Sequence, residues 1–183
     1  MILETPSLTL RPWAPADADA LVKNADDRRV WANLRDRFPH PYTRADAEGW
    51  IAFCAGQAPP GAGLAIVVDG EAAGGIGLER FDDVHRNTAE IGYWLGAPYW
   101  GRGLATEAVI AMTRYGFEHL GLERIQAGVY GWNGASARVL EKAGYALEGR
   151  MRRHVVKDGQ VGDVLLYARV RDDARVAQDG ARR

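Results

Sequence analysis

Between two apolar runs the chain reads Tyr99-Trp100-Gly101-Arg102-Gly103-Leu104-Ala105-Thr106-Glu107, and this stretch restricts the fold more than any other. A strand-like run, Ala89 to Leu95, precedes it, and a helix-like run reaching about Leu120 follows. Two glycines permit a sharp turn and leave no side chain between the backbone and a ligand. The amide N–H groups of residues 103 to 106 have no acceptor within the helix they begin, so with the helix dipole they form a seat for an anion. Strand, glycine turn and helix in that order predict a phosphate-binding element.

Two common nucleotide motifs do not fit. A dinucleotide fingerprint needs glycine where Thr106 stands, and a P-loop needs Gly-Lys before Ser or Thr, a dipeptide absent from the chain. The formal net charge is -1, which calls for neither nucleic acid nor an anionic membrane as partner. No apolar run approaches the roughly 20 residues of a membrane span, and the N-terminus lacks the pattern of a signal peptide. Cys54 is the single cysteine, so an internal disulfide is excluded and a cytoplasmic location is expected. Four dispersed histidines and one cysteine give no metal-ligand spacing, so no metal is expected. The length suits one domain, residues 1–172, followed by a frayed polar tail at 173–183.

Along the chain, Ser7 to Arg11 alternates at period two and predicts a first strand. Asp17 to Asn24 reads as a short helix, and Arg28 to Tyr42 as helix followed by loop. Thr43-Arg44-Ala45-Asp46 is a capping start for a helix with Ala47, Trp50, Ile51 and Cys54 on one face. After a Pro/Gly loop at Gln57 to Gly63, the runs Leu64 to Val68 and Ala72 to Leu78 flank the hairpin signal Asp69-Gly70. A turn near Asp82-Asp83 leads to a fourth strand, Thr88 to Leu95. The helix after the glycine loop presents Ala105, Ala108, Val109, Met112 and Gly116 inward; a fifth strand, Arg124 to Tyr130, then runs parallel to the fourth. Asn133 to Ala143 is a last helix, and Tyr145 to Met151 with Val161 to Val170 closes the chain as a hairpin around Asp158-Gly159.

Trp100-Gly101-Arg102-Gly103-Leu104-Ala105 resembles the acetyl-CoA pyrophosphate loop of the GNAT N-acetyltransferases, Gln/Arg-x-x-Gly-x-Gly/Ala, with Trp100 in place of the first residue. Glu90-Ile91-Gly92-Tyr93-Trp94-Leu95 resembles the fourth strand of the ribosomal-protein acetyltransferase branch. Asn133-Gly134-Ala135-Ser136, followed by Leu140 to Tyr145, resembles its Asn-x-x-Ser helix. The resemblance covers about residues 7 to 170 and implies an α/β fold of α+β type: a mixed, mostly antiparallel sheet of six to seven strands with about four helices, splayed between the fourth and fifth strands.

The same resemblance implies acetyl-CoA as cosubstrate and an amine acceptor, a protein N-terminus or a small molecule such as an aminoglycoside or polyamine. A monomer or homodimer would suffice, and a catalytically silent acyl-CoA-binding module is the alternative from another class. Cofactor contacts are expected from Trp94, Leu95, Gly96, Gly101, Arg102, Gly103, Leu104, Ala105, Thr106, Asn133 and Ser136. An alkylammonium has a pKa of about 10.4 and an N-terminal amine about 8, so the acceptor must lose a proton. Glu90 is the candidate base: on a strand it shares a face with Gly92 and Trp94, while Ile91, Tyr93 and Leu95 share the apolar face. Its alternative role is a solvated or ion-paired carboxylate. Ser136 is expected near the thioester sulfur, although Asn133 and Ser136 also fit a plain helix cap. His154 and Asp163 are weaker candidates, Trp31, Phe38, Trp50 and Phe53 are candidate acceptor walls, and Tyr130 and Tyr145 are expected in the core.

Overall fold

The computed structural model describes residues 1–57 and 63–171. Most of the expected 57–63 loop, and the 173–183 tail, lie outside the described residues. The strands are β1 (Leu3–Glu4), β2 (Thr9–Arg11), β3 (Leu64–Val68), β4 (Glu71–Arg80), β5 (Thr88–Leu95), β6 (Arg124–Tyr130), β7 (Ala146–Lys157) and β8 (Gln160–Val170). The helices are α1 (Ala18–Ala25), α2 (Arg28–Trp31), α3 (Arg44–Ala55), α4 (Leu104–His119) and α5 (Gly134–Lys142). One sheet joins all the strands in the order β1-β2-β3-β4-β5-β6-β8-β7. The strand beyond the expected six to seven is β1, whose two residues are too few to show a period; Thr5 turns it back by donating N–H and hydroxyl to Leu8 O at 3.0 and 2.7 Å.

Local chemistry explains most of the element ends. Thr43 and Asp46 form the expected reciprocal cap on α3, Asp46 Oδ2 accepting from Thr43 N–H at 2.8 Å and Thr43 Oγ1 from Asp46 N–H at 3.3 Å. Asp69-Gly70 and Asp158-Gly159 both have positive φ at both residues, the conformation of a two-residue hairpin turn whose twist matches its strands. On α4, Ala108, Val109 and Met112 are at most 1% exposed, and the inner stripe packs on the sheet as the spacing requires. Two apolar clusters result: the larger lies under α4 and α5, and a smaller one joins α1 and α3 to Trp13, Ala65 and Ala72 on the opposite face.

The geometry that matters for function is the end of β5. Its antiparallel pairing with β4 runs from Ala89↔Arg80 to Leu95↔Gly74, whereas its parallel pairing with β6 stops at Glu90↔Gln126. Beyond Glu90 the two central strands diverge, and β6 continues paired only to β8, as far as Tyr130↔Val164. The sheet is therefore split in the middle.

Gly74 keeps β4 close to the rim of that split. A Cβ at Gly74 would stand 2.1 Å from Trp94 O and 2.9 Å from Leu95 Cα, both backbone atoms that cannot step aside alone. Gly74→Ala is expected to cost about 3 kcal/mol, the upper end of ordinary overpacking. For a domain of this size that is a fall in Tm of roughly 6–12 °C, read by thermal unfolding. A fall below about 2 °C would show that β4 relaxes freely here.

Candidate active site

The glycine stretch forms the turn its sequence predicts. Gly101 (φ 75°) and Gly103 (φ 80°) both lie in the left-handed region, and a Cβ at either would meet nothing within 4 Å. Gly103 is the N-cap of α4 without any side-chain cap, and its carbonyl accepts the intrahelical bond from Glu107 N–H at 3.1 Å. The amides of Leu104, Ala105 and Thr106 are thus left to the cleft, which all three residues line with Gly101 and Gly103. Trp100, standing where the family pattern has Gln or Arg, has a structural use: its indole Nε1 donates to Leu95 O at 2.8 Å and ties the loop to the end of β5. Arg102 points outward, half-exposed, over the Tyr99 ring at 5.9 Å. Arg138 and Lys142 of α5 line the same cleft and add positive charge that the sequence reading did not single out.

The cleft has a volume of about 1580 Å³ and runs through the split in the sheet. Along β5 the residues alternate across it. Gly96 N–H donates to Ala73 O at 2.8 Å, on the β4 side, and Leu95 O faces the other way to receive Trp100. Alternation then places the main-chain groups of Tyr93 and Leu95 in the split and those of Gly92 and Trp94 on the β4 ladder. Of the expected trio Trp94, Leu95 and Gly96, only Leu95 offers a main-chain N–H to a ligand in the split; Gly96 is buried against Asn24 with its N–H already committed.

The two faces of β5 carry different chemistry. On one, Glu90, Gly92 and Trp94 succeed one another, and a Cβ on Gly92 would meet nothing within 4 Å, leaving bare floor between a carboxylate and an indole. Phe38 packs edge-on to Trp94 at 5.4 Å, and Trp50 and Phe53 line the same end. Trp31 is absent from the lining; it stacks under Lys157 Nζ at 3.6 Å and beside His40 at 5.8 Å. Glu90 is ion-paired with Arg35, the partner its sequence context could not supply.

On the other face Tyr93 meets α5. Its hydroxyl and that of Ser136 are 2.8 Å apart, and it also donates to Ser136 O at 3.2 Å. Burial pushes the Tyr93 phenol up to about 12, so it stays a neutral O–H donor at any working pH. Asn133 Oδ1 accepts from Ser136 N–H at 3.1 Å, which makes Asn133 the N-cap of α5. Sequence reasoning places Tyr93 only on the apolar face and misses its hydroxyl contact with Ser136, 43 residues away.

The remaining candidates separate. His154 and Tyr130 line the cleft, whereas Tyr145 is buried and shares a 2.7 Å hydrogen bond with Thr113. Asp163 accepts from Arg153 N–H at 2.7 Å and Arg150 Nε at 2.5 Å, which hold its carboxyl below the ordinary range. These bonds lock the β7 irregularity between Met151 and Val155, where Arg153 has φ 53°, so Asp163 shapes the rim. Cys54 has its thiol pushed up to about 11 by burial and is absent from the cleft lining among the described residues.

A split mixed sheet with an anion seat at the N-terminus of the following helix defines a class of protein, the acetyl-CoA-dependent acyltransferases. Residues 7–146 match the acetyltransferase (GNAT) domain, and the chain belongs to that family. It is 32% identical over 171 residues to the uncharacterized N-acetyltransferase p20 of Bacillus licheniformis, covering 91% of this chain and 94% of that one. To the ribosomal-protein-serine acetyltransferase of Escherichia coli (strain K12) it is 31% identical over 107 residues, 58% of this chain and 59% of the other. The match to the uncharacterized N-acetyltransferase YoaA of Bacillus subtilis (strain 168), 39% identical over 101 residues, spans 55% of this chain and 56% of that protein's length. Among solved structures, Mycobacterium smegmatis RimJ in complex with CoA-disulfide is similar with a TM-score of 0.79 at 27% identity, over 98% of this chain and 93% of that one.

Proposed function

We propose that the protein transfers the acetyl group of acetyl-CoA to a protein N-terminal amine, by direct attack within a ternary complex. The observation that carries this reading is the disposition of groups about β5: Glu90 above the bare Gly92 floor on one face, the Tyr93–Ser136 hydroxyl pair on the other, and the unpaired strand edge between them. A thioester laid in the split is approached by an amine from the first face and releases sulfur toward the second. The amides after Gly103 hold the pyrophosphate, and the pantetheine arm replaces the strand partner that β5 lacks beyond Glu90. Leu95 N–H is the donor placed to polarise the thioester carbonyl, a contribution of about 3 kcal/mol for a well-aimed group. The choice of a protein acceptor is supported by the likeness to the ribosomal-protein-serine acetyltransferase.

Each step follows from these groups. The amine gives its proton to Glu90, directly or through water, and its nitrogen forms a bond to the acetyl carbon. The C–S bond breaks and the electron pair stays on sulfur. Burial keeps the proton on the Tyr93 phenol. Tyr93 and Ser136 therefore stabilise the thiolate by donating hydrogen bonds, and solvent protonates it after release. It follows that kcat/KM should show no descending limb from Tyr93 below about pH 10. A fall near pH 9 that vanished in Tyr93→Phe would contradict this role.

The test of the reading is turnover. The protein is incubated with acetyl-CoA and a panel of peptides with free N-termini, aminoglycosides and polyamines, while free CoA thiol is followed and the product is fragmented to locate the acetyl group. Acetylation at a peptide N-terminal nitrogen is expected. Release of thiol with small amines alone would transfer the function to that class, and CoA binding without thiol release across the panel would leave a binding module.

A further inference from the structure

Four charged side chains stand over the acceptor side of the cleft. Glu79 and Glu90 are direct cross-strand partners on β4 and β5, an arrangement of like charges that is unfavourable alone. Arg35 joins them, with one guanidinium nitrogen on Glu90 and the other 3.6 Å from Glu79, and Arg37 reaches Glu79 at 3.5 Å. All four residues line the cleft. The arginines are held there through the residue between them: Asp36 accepts from Lys157 Nζ at 2.7 Å, and that lysine side chain is 3% exposed. The buried lysine thus ties down, through the exposed Asp36 carboxylate, the loop whose two arginines line the cleft.

The charges of this group sum to zero before an acceptor arrives. An amine at neutral pH enters as an ammonium ion, and Glu90, its natural counter-ion, already carries Arg35. The excess positive charge is removed if the acceptor brings a carboxylate of its own. We infer that the preferred acceptor is a peptide with Asp or Glu as its first or second residue, and that Arg35 exchanges Glu90 for that carboxylate, freeing Glu90 for the amine. This inference rests on the reading that an N-terminal amine is the acceptor. The exchange is feasible because the pair lies partly in solvent, Arg35 being 51% and Glu90 29% exposed, where ion pairs contribute little to stability. A carboxylate on residue one or two is within a strand repeat of about 3.3 Å per residue from the amine, so one guanidinium can hold it while the amine lies at Glu90. Arg35 is in this view a specificity-determining residue that also positions Glu90.

The experiment compares peptides identical beyond residue two whose first two residues are Ala-Ala, Asp-Ala, Ala-Glu or Lys-Ala, with spermidine as a further acceptor. Initial rates of thiol release are measured for the full chain and for Arg35→Gln and Arg35→Lys, each checked for an unchanged melting transition. In the parent, kcat/KM for the two acidic peptides is expected to exceed that for Ala-Ala by about tenfold, mainly through KM, and Lys-Ala is expected to be poorest. Arg35→Gln should bring the acidic-to-neutral ratio close to one, and Arg35→Lys should restore part of it. Equal rates with acidic and neutral peptides in the parent, or a ratio that survives Arg35→Gln, would overturn the inference and leave the peptide acceptor standing. If Arg35→Gln does not fold, the parent's peptide comparison alone decides. Turnover of spermidine with none of any peptide, or no turnover at all, would overturn both.

Discussion

Gly103→Glu is expected to weaken CoA binding at least about 100-fold, a loss of roughly 2.7 kcal/mol, measured by calorimetry on the purified protein. Two effects add. Gly103 sits at φ 80°, where an L side chain costs about 1–2 kcal/mol and the turn tends to relax away from the conformation that aims the amides. The carboxylate itself stands at the mouth of the anion seat, where it repels a diphosphate and competes for the same N–H donors. Gly103→Ala isolates the first effect and is expected to show a smaller loss, about tenfold. An affinity for CoA within threefold of the parent in Gly103→Glu would mean that the cofactor is held elsewhere.

The second large effect is expected at Glu90. Glu90→Gln keeps the shape and removes the base, and kcat/KM near neutral pH should fall by about 10²–10³ with CoA affinity unchanged. The deficit should shrink as the pH is raised past the amine's own pKa of about 8, because the acceptor then arrives unprotonated. A rate within threefold of the parent at neutral pH would assign proton removal to water alone and leave Glu90 as the ion-pair partner of Arg35.

The strand before the glycine seat and the seat itself were legible because they are local, whereas the split beside that strand came only from the resemblance. A period-two run, two glycines and an apolar stripe are contiguous in sequence, and the type of each element follows from residues a few places apart. Hairpin turns at Asp69-Gly70 and Asp158-Gly159 and the cap at Thr43 were readable for the same reason. The charge and hydrogen-bond partners were not. Arg35 lies 55 residues from Glu90, Tyr93 lies 43 from Ser136, and Lys157 lies 121 from Asp36, separations at which no periodicity carries information. Trp31 shows the same limit: the resemblance suggested a cleft wall, and a lysine from the far hairpin claimed its ring instead. Gly96 illustrates a finer one. Its place in the motif was visible, but which edge of the strand its N–H faces is set by the pairing of β4 with β5.

The most direct measurement is a crystal structure of the protein with acetyl-CoA. Pyrophosphate oxygens are expected about 2.7–3.2 Å from the amide nitrogens of residues 103 to 106. The pantetheine arm should run along residues 92 to 95, with the acyl oxygen on Leu95 N–H. Clear density for the cofactor at any other place, or a pyrophosphate turned away from the start of α4, would contradict the assignment on which every proposed role at this site depends.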